Sequence, residues 1–227
     1  LNTEDMSGTS DPGEAVVLLG DEVGPYTIKD YITAPNHSFV LEHGERVRVP
    51  ITVAIPADAE PGGFYGSLLT EIISDDVTPP SGDVVPISKL ISRIGTLFFV
   101  TTPGDINRSL EVKEFGTTNN KKFYSKGPIE FNIVTENTGS AHVTPFGNLR
   151  ILNTFGNEVG FVEVQPWYVL PQSIRNKEIK WNREFLVGRY TAVAEINRGY
   201  DNIVDEVKYT FWVVPLELIA AVFAGFF

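Results

Sequence analysis

The sequence predicts an all-β protein: two tandem immunoglobulin-like β-sandwich domains followed by a short C-terminal hydrophobic helix. Three observations carry this expectation. Gly 20 and Pro 15 among 227 residues punctuate the chain at short, regular intervals. The segments between them are rich in Val, Ile, Thr, Phe and Tyr, the composition of short strands joined by turns. Several of these segments alternate apolar and polar residues, and a period of two means one buried and one wet face.

The clearest alternation is "RVRVPITVAI", where Val47, Val49, Ile51, Val53 and Ile55 share one face and Arg46, Arg48, Pro50, Thr52 and Ala54 the other. Pro50 removes one ladder donor, so the strand is expected at an edge or with a bulge. Further strands are expected at 15–19, 26–32, 64–73 and 94–101, completing a first sandwich over residues 1–103. Within it, "SDDVTPPSGDVVP" combines acidic residues, a Pro-Pro pair and Ser-Gly, the chemistry of a long exposed loop.

"TTPGDINRS", residues 101–109, separates two strand-rich halves and places a hinge near residues 103–107. A second sandwich is expected over residues 104–215. It opens with "GPIEFNIVTENTGS", in which Ile129, Phe131 and Ile133 fall on one face and "ENTGS" is a turn. "GNLRILNTFGNEVGFVEV" reads as a hairpin around residues 153–157, and strands follow near 177–185, 190–196 and 207–214. About seven strands in about a hundred residues suit an immunoglobulin-like sandwich.

Residues 216–227 are apolar except for Glu217. Leu216, Leu218, Ile219, Val222, Phe223, Phe226 and Phe227 represent on the order of 14 kcal/mol of burial, so the segment is expected to leave water. As a helix it spans about 18 Å against a hydrocarbon core of about 30 Å. The expectation is a membrane anchor that begins here and continues past residue 227; the rival is a short helix buried between copies of the protein.

Lys+Arg 18 against Asp+Glu 29 gives a net charge of −11, which repels a phosphate backbone and excludes nucleic acid as a partner. Zero cysteines exclude a disulfide framework and a thiolate metal site. The beginning "LNTEDMSGTSDPGEAVVLL" has no initiator Met, basic region or long apolar run, so a processed or truncated start is expected.

Two stretches go beyond composition. "IPADAEPGGFYGSLL", residues 55–69, and "VLPQSIRNKEIKW", residues 169–181, followed by "GRYTAVAEI" and "FWVVP", resemble bacterial cell-surface proteins related to the WxL-interacting protein family. The resemblance covers most of the chain through structural motifs: Pro61-Gly62-Gly63 as a turn feeding a strand, and Leu170-Pro171 with Arg175 and Trp181 as a loop clasping two sheets. It implies two immunoglobulin-like domains, a C-terminal transmembrane helix and an extracytoplasmic location. It also implies peptidoglycan or a partner surface protein as ligand of the first domain, and host ligands for the second. The family's first sandwich has leading strands ahead of the point where residue 1 falls, so a first domain without them is expected.

No residue pattern specifies catalysis, a cofactor or a metal. His37, His43 and His142 lack metal-ligand spacing, and Ser67 in "YGSLL" lacks the context of a nucleophile elbow. Asp75, Asp76 and Asp83, and separately Asp201, Asn202, Asp205 and Glu206, offer oxygen ligands without calcium-loop spacing, so solvated charge is the simpler reading. Trp167, Trp181 and Trp212 suit sandwich cores, while Trp167 and Tyr168, just ahead of Pro171, are the candidate ligand-facing pair. The expected role is a non-enzymatic, membrane-anchored binding or scaffolding module at the bacterial cell envelope. The alternative is a structural subunit that oligomerises by strand exchange. A wall-glycan hydrolase needs two carboxylates across a cleft, and the sequence marks no such pair.

Overall fold

The computed structural model describes residues 1–72 and 92–215, and its architecture is all-β, interrupted only by two short 3-10 turns among the described residues. The chain divides into two units, one formed by Leu1–Ser7 and Val17–Asp105, the other by Gly8–Val16 and the chain from Ile106 onward.

The first unit contains β1 (Asn2–Ser7), β2 (Val17–Leu18), β3 (Ile32–Thr33), β4 (Thr52–Val53), β5 (Gly62–Ile72) and β6 (Ser92–Thr102). A four-stranded sheet runs in the order β2-β1-β5-β6, and β3 pairs with β4. β5 and β6 hold one uninterrupted antiparallel register, from Gly62 opposite Thr102 to Ile72 opposite Ser92.

β1 is an inner strand although its sequence is polar. Asp5 is fully buried and acts as a hub: its Oδ1 accepts the amides of Ile28 and Lys29 at 3.0 Å each, and its Oδ2 that of Gly24 at 3.1 Å. Burial pushes this carboxyl up. The nearby Thr27 side chain and the three amide bonds together outweigh burial and hold the group below its ordinary range. Opposite Asp5 stands Gly66, where an added Cβ would run into Ile28 Cγ2, so a missing side chain on β5 makes room for the turn that Asp5 gathers.

That hub also explains why residues 26–32 do not form the expected strand. The Ile28 and Lys29 amides are spent on a carboxylate instead of a ladder, so the segment turns through a 3-10 element at Lys29–Tyr31. In "RVRVPITVAI" the alternation survives, with Val49, Ile51, Val53 and Ile55 half-buried between exposed neighbours, yet only Thr52–Val53 is paired. Pro50 supplies no amide, consistent with a segment that stays extended but largely outside a ladder. The expected strand at 15–19 contracts to Val17–Leu18.

The second unit contains β7 (Leu110–Thr117), β8 (Phe123–Tyr124), β9 (Ile129–Asn137), β10 (Phe146–Asn153), β11 (Glu158–Val164), β12 (Ser173–Trp181), β13 (Gly188–Asn197) and β14 (Val204–Val213). They make a five-stranded sheet, β11-β10-β13-β14-β8, and a three-stranded sheet, β12-β9-β7. Inward residues of both sheets meet in one core: Leu110, Ile129, Phe131, Ile133 and Ile179 from the smaller, Leu149, Ile151, Ala192, Ala194 and Phe211 from the larger. Aromatic rings link the two sheets. Trp181 meets Tyr190 at 5.9 Å, Tyr190 meets Phe211 at 5.6 Å, and Phe211 meets Phe131 at 5.6 Å. Such contacts add specificity to area burial.

The hairpin at 153–157 forms as expected, with Asn153 Oδ1 accepting the amides of Phe155 and Asn157 at 2.9 and 3.0 Å. The "LPQSIRNKEIKW" stretch is not a clasping loop. From Ser173 it is β12, paired residue by residue with β9. The outer side of β12 is partly taken by Gly8–Val16: Ile174 N donates to Thr9 O at 3.0 Å and Asn176 N to Pro12 O at 2.9 Å. Both partners advance in the same chain direction, so the segment lies parallel to β12.

Candidate functional site

The three-stranded sheet has an outward face whose composition follows from its inward one. Because Ile129, Phe131 and Ile133 enter the core, the pleat turns Asn132 and Val134 outward. Val134 stands opposite Asn176 on β12 and Glu114 on β7, and Asn132 stands opposite Gly116. Gly116 has no side chain, and the Tyr209 ring packs against β7 there, so that a Cβ at Gly116 would meet Tyr209 Cε2 at 3.2 Å.

The result is a hollow of about 680 Å³ floored by Asn132, Val134 and Asn176. Its volume lies within the range of small-molecule sites, about 300–1,000 Å³. Asn119 and Asn120 form one rim with φ of 60° and 53°, left-handed conformations that asparagine tolerates better than most residues. Tyr209 Oη donates to Asn120 Oδ1 at 2.8 Å and fixes that rim. Pro12 and Gly13, from the segment beside β12, line another part of it.

The lining is polar and nearly neutral. Asn132 Oδ1 and Asn176 Oδ1 are buried with no hydrogen-bond partner, a state that costs about 1–3 kcal/mol each where nothing offsets it. With no bond to its oxygen, neither amide is held to one orientation by that atom. The Lys113 ammonium contacts carboxylates of Glu136 at 2.7 Å and Glu111 at 2.9 Å, and these bonds, Glu136 first, raise its pKa. The cation at this rim is thus already answered. Amides donate and accept in one plane, and such a set holds a ligand rich in both donors and acceptors.

The structure separates the candidate pair Trp167–Tyr168. Trp167 is 5% exposed and belongs to the core, with Lys177 Nζ 5.7 Å from its ring centroid, whereas Tyr168 is 53% exposed and its ring lies 5.9 Å from that of His142. Burial, followed by the Arg108 charge, pushes the His142 pKa down. Trp181 is buried as expected, but Trp212 faces outward at 43% exposure. Ser67 is fully buried and donates to Glu4 O at 3.2 Å, the behaviour of a strand residue.

Asp201 and Asn202 form a left-handed turn, and Asp205 makes a two-bond pair with Arg198 at 2.8 and 2.7 Å. Glu206 pairs with Lys208. These acidic residues are engaged in a turn and ion pairs. Among the described residues no group of three or more His, Asp or Glu side chains gathers to hold a metal ion. Asp75, Asp76 and Asp83, and the proposed anchor Leu216, Leu218, Ile219, Val222, Phe223, Phe226 and Phe227, lie outside the described residues. No helix among the described residues is long and apolar enough to cross a membrane.

Asn119, Asn120, Asn132 and Asn176 escape sequence reasoning because asparagine on a strand or in a turn has an ordinary structural use. The available signal is positional: the inward set on β9 dictates an outward Asn132. In comparisons with known proteins, no family model and no curated protein matches the chain.

Proposed function

We propose that this protein is a non-enzymatic binding or scaffolding module of the bacterial cell envelope, built from two immunoglobulin-like sandwiches and held at the membrane by the apolar segment from Leu216 to Phe227. The observation that carries the binding role is the amide-lined hollow, whose side chains offer hydrogen bonds in both senses. The two-sheet core of the second unit supports the immunoglobulin-like reading, and the resemblance of residues 55–69 and 169–181 to WxL-interacting surface proteins supports the location. The test is sedimentation of the full chain with purified cell-wall fragments and, separately, with phospholipid vesicles. Pelleting with both supports the reading; a protein that stays in the supernatant with both overturns it.

One observation favours assembly by strand exchange. Among the described residues β6 is the terminal strand of its sheet, continues for eleven residues without a register shift, and carries Arg93 as its single charged residue. Ile94 and Leu97 on it are 64% and 42% exposed. Natural edges are commonly blunted by lysine, proline or a bulge, and β6 has none of these. An unblunted edge accepts an added strand. Light scattering on the purified chain decides: a concentration-dependent oligomer supports exchange, and a monomer throughout rejects it.

A further inference from the structure

The outward face of β12-β9-β7 carries the most specific chemistry among the described residues, and this inference rests on the binding role proposed above. We propose that the hollow between the Asn119–Asn120 turn and Pro12–Gly13 is a site for an uncharged glycan, with Asn119, Asn132 and Asn176 as the hydrogen-bonding side chains.

Three observations converge on that ligand class. First, four of the polar side chains that line the hollow are amides, beside Lys113, Glu114 and Thr117. An amide can answer a hydroxyl as acceptor and donor at once, and it pairs reciprocally with an acetamido substituent. Asn132 and Asn176 have unpartnered Oδ1 atoms, so a ligand that enters finds them uncommitted at that atom. Second, charge disfavours the alternatives. Lys113 is bonded to Glu111 and Glu136 and is not a spare counter-ion for an anion, and a protein of net charge −11 repels anionic polymers generally. Third, the shape is prepared. Gly116 lets the Tyr209 ring pack against β7, that tyrosine holds Asn120 in place, and Val134 supplies a small apolar floor for the carbon face of a sugar ring. A rim fixed before binding lowers the ordering cost of association.

Pro12 and Gly13 belong to a segment that meets β12 through the amides of Ile174 and Asn176. The same residue, Asn176, thus contributes its backbone amide to that segment and its side chain to the hollow floor, so ligand contact at Asn176 and seating of Gly8–Val16 reinforce one another.

The experiment is calorimetric titration of the full chain with short N-acetylglucosamine oligomers, neutral gluco-oligosaccharides and, for contrast, oligouronates. The wild type is expected to bind neutral oligomers and not oligouronates. N119G preserves the left-handed turn and deletes one amide; N132L keeps a similar volume without hydrogen bonding. Each is expected to weaken binding about tenfold, the loss of one good hydrogen bond, with the melting temperature little changed. Y168S, on the other exposed candidate, should leave affinity unchanged. Absence of binding to neutral oligomers overturns the glycan assignment, as does equal affinity for oligouronates or full affinity in both asparagine variants. Pelleting with cell-wall fragments that persists in N119G and N132L rejects the hollow while leaving the wider binding role standing, and loss of pelleting in the wild type rejects that role.

Discussion

The two units solve burial differently. The second holds together chiefly through hydrocarbon, although Asn137 is a buried polar tie within it: residues from two sheets interlock, and Trp181, Tyr190, Phe211 and Phe131 form a ring path between the layers. The first buries Met6, Ile28, Tyr65, Leu68 and Leu69 around a carboxylate, with Glu4, Asp5 and Ser67 also buried. An apolar core tolerates loss of one side chain in proportion to the volume removed, whereas a polar hub fails through the donors it leaves behind. The contrast teaches where each unit is fragile.

The sharpest way to break the comparison is Trp181→Ala. It deletes a ring at the end of the aromatic path and should cost about 3–5 kcal/mol. Peptide-resolved hydrogen exchange should show lost protection in β9, β12 and β13 and not in β5. Uniform loss across both units would mean they unfold as one. Next is Asp5→Ala, which strands the amides of Gly24, Ile28 and Lys29 and should destabilise the first unit by about 3 kcal/mol. Protection in β1 and the turn at residues 24–29 should fall first.

The same carboxylate gives a pH signature. Its folded pKa is depressed, so its contribution is fully present above the unfolded value of about 4 and fades as pH falls through the depressed folded value. Acid titration followed by exchange should therefore open the first unit selectively, and Asp5→Asn should flatten that dependence. A smaller effect is expected for Arg198→Lys, which gives up one of the two bonds to Asp205 and should cost about 1 kcal/mol in the second unit by urea unfolding. The smallest is Leu97→Lys on β6. Its stability change should stay within about 0.5 kcal/mol, while any concentration-dependent association measured by light scattering should disappear.

Sequence pattern locates the long strands of the second unit because their faces alternate cleanly: Ile129, Phe131 and Ile133 are buried as read. β1 is invisible to that logic. "NTEDMS" contains one large apolar residue, and its place inside the sheet comes from contacts with Gly24, Ile28 and Lys29 that no local pattern encodes. β12 is partly hidden too: a strand is read near 177–185, but Pro171 and the largely polar run from Gln172 to Asn176 read as a loop, and pairing to β9 moves the strand to Ser173–Trp181. The hollow is illegible for a related reason. Asn119, Asn132 and Asn176 lie on three separate elements, and only the register of β12 and β7 on β9 sets them around one space.

The placement of Gly8–Val16 beside β12 has a consequence for biosynthesis. A chain emerging from the ribosome presents Thr9 and Pro12 long before Ile174 and Asn176 exist, so their partners are missing throughout most of translation. β1 and β2, which flank this segment, pair with each other, and β1 can close on β5 earlier, because β5 is made well before β12. Gly8–Val16 is thus made well before its partners and is among the last parts of its unit to be seated, and a nascent chain halted before residue 173 would leave it open to protease while its neighbours on either side are already protected.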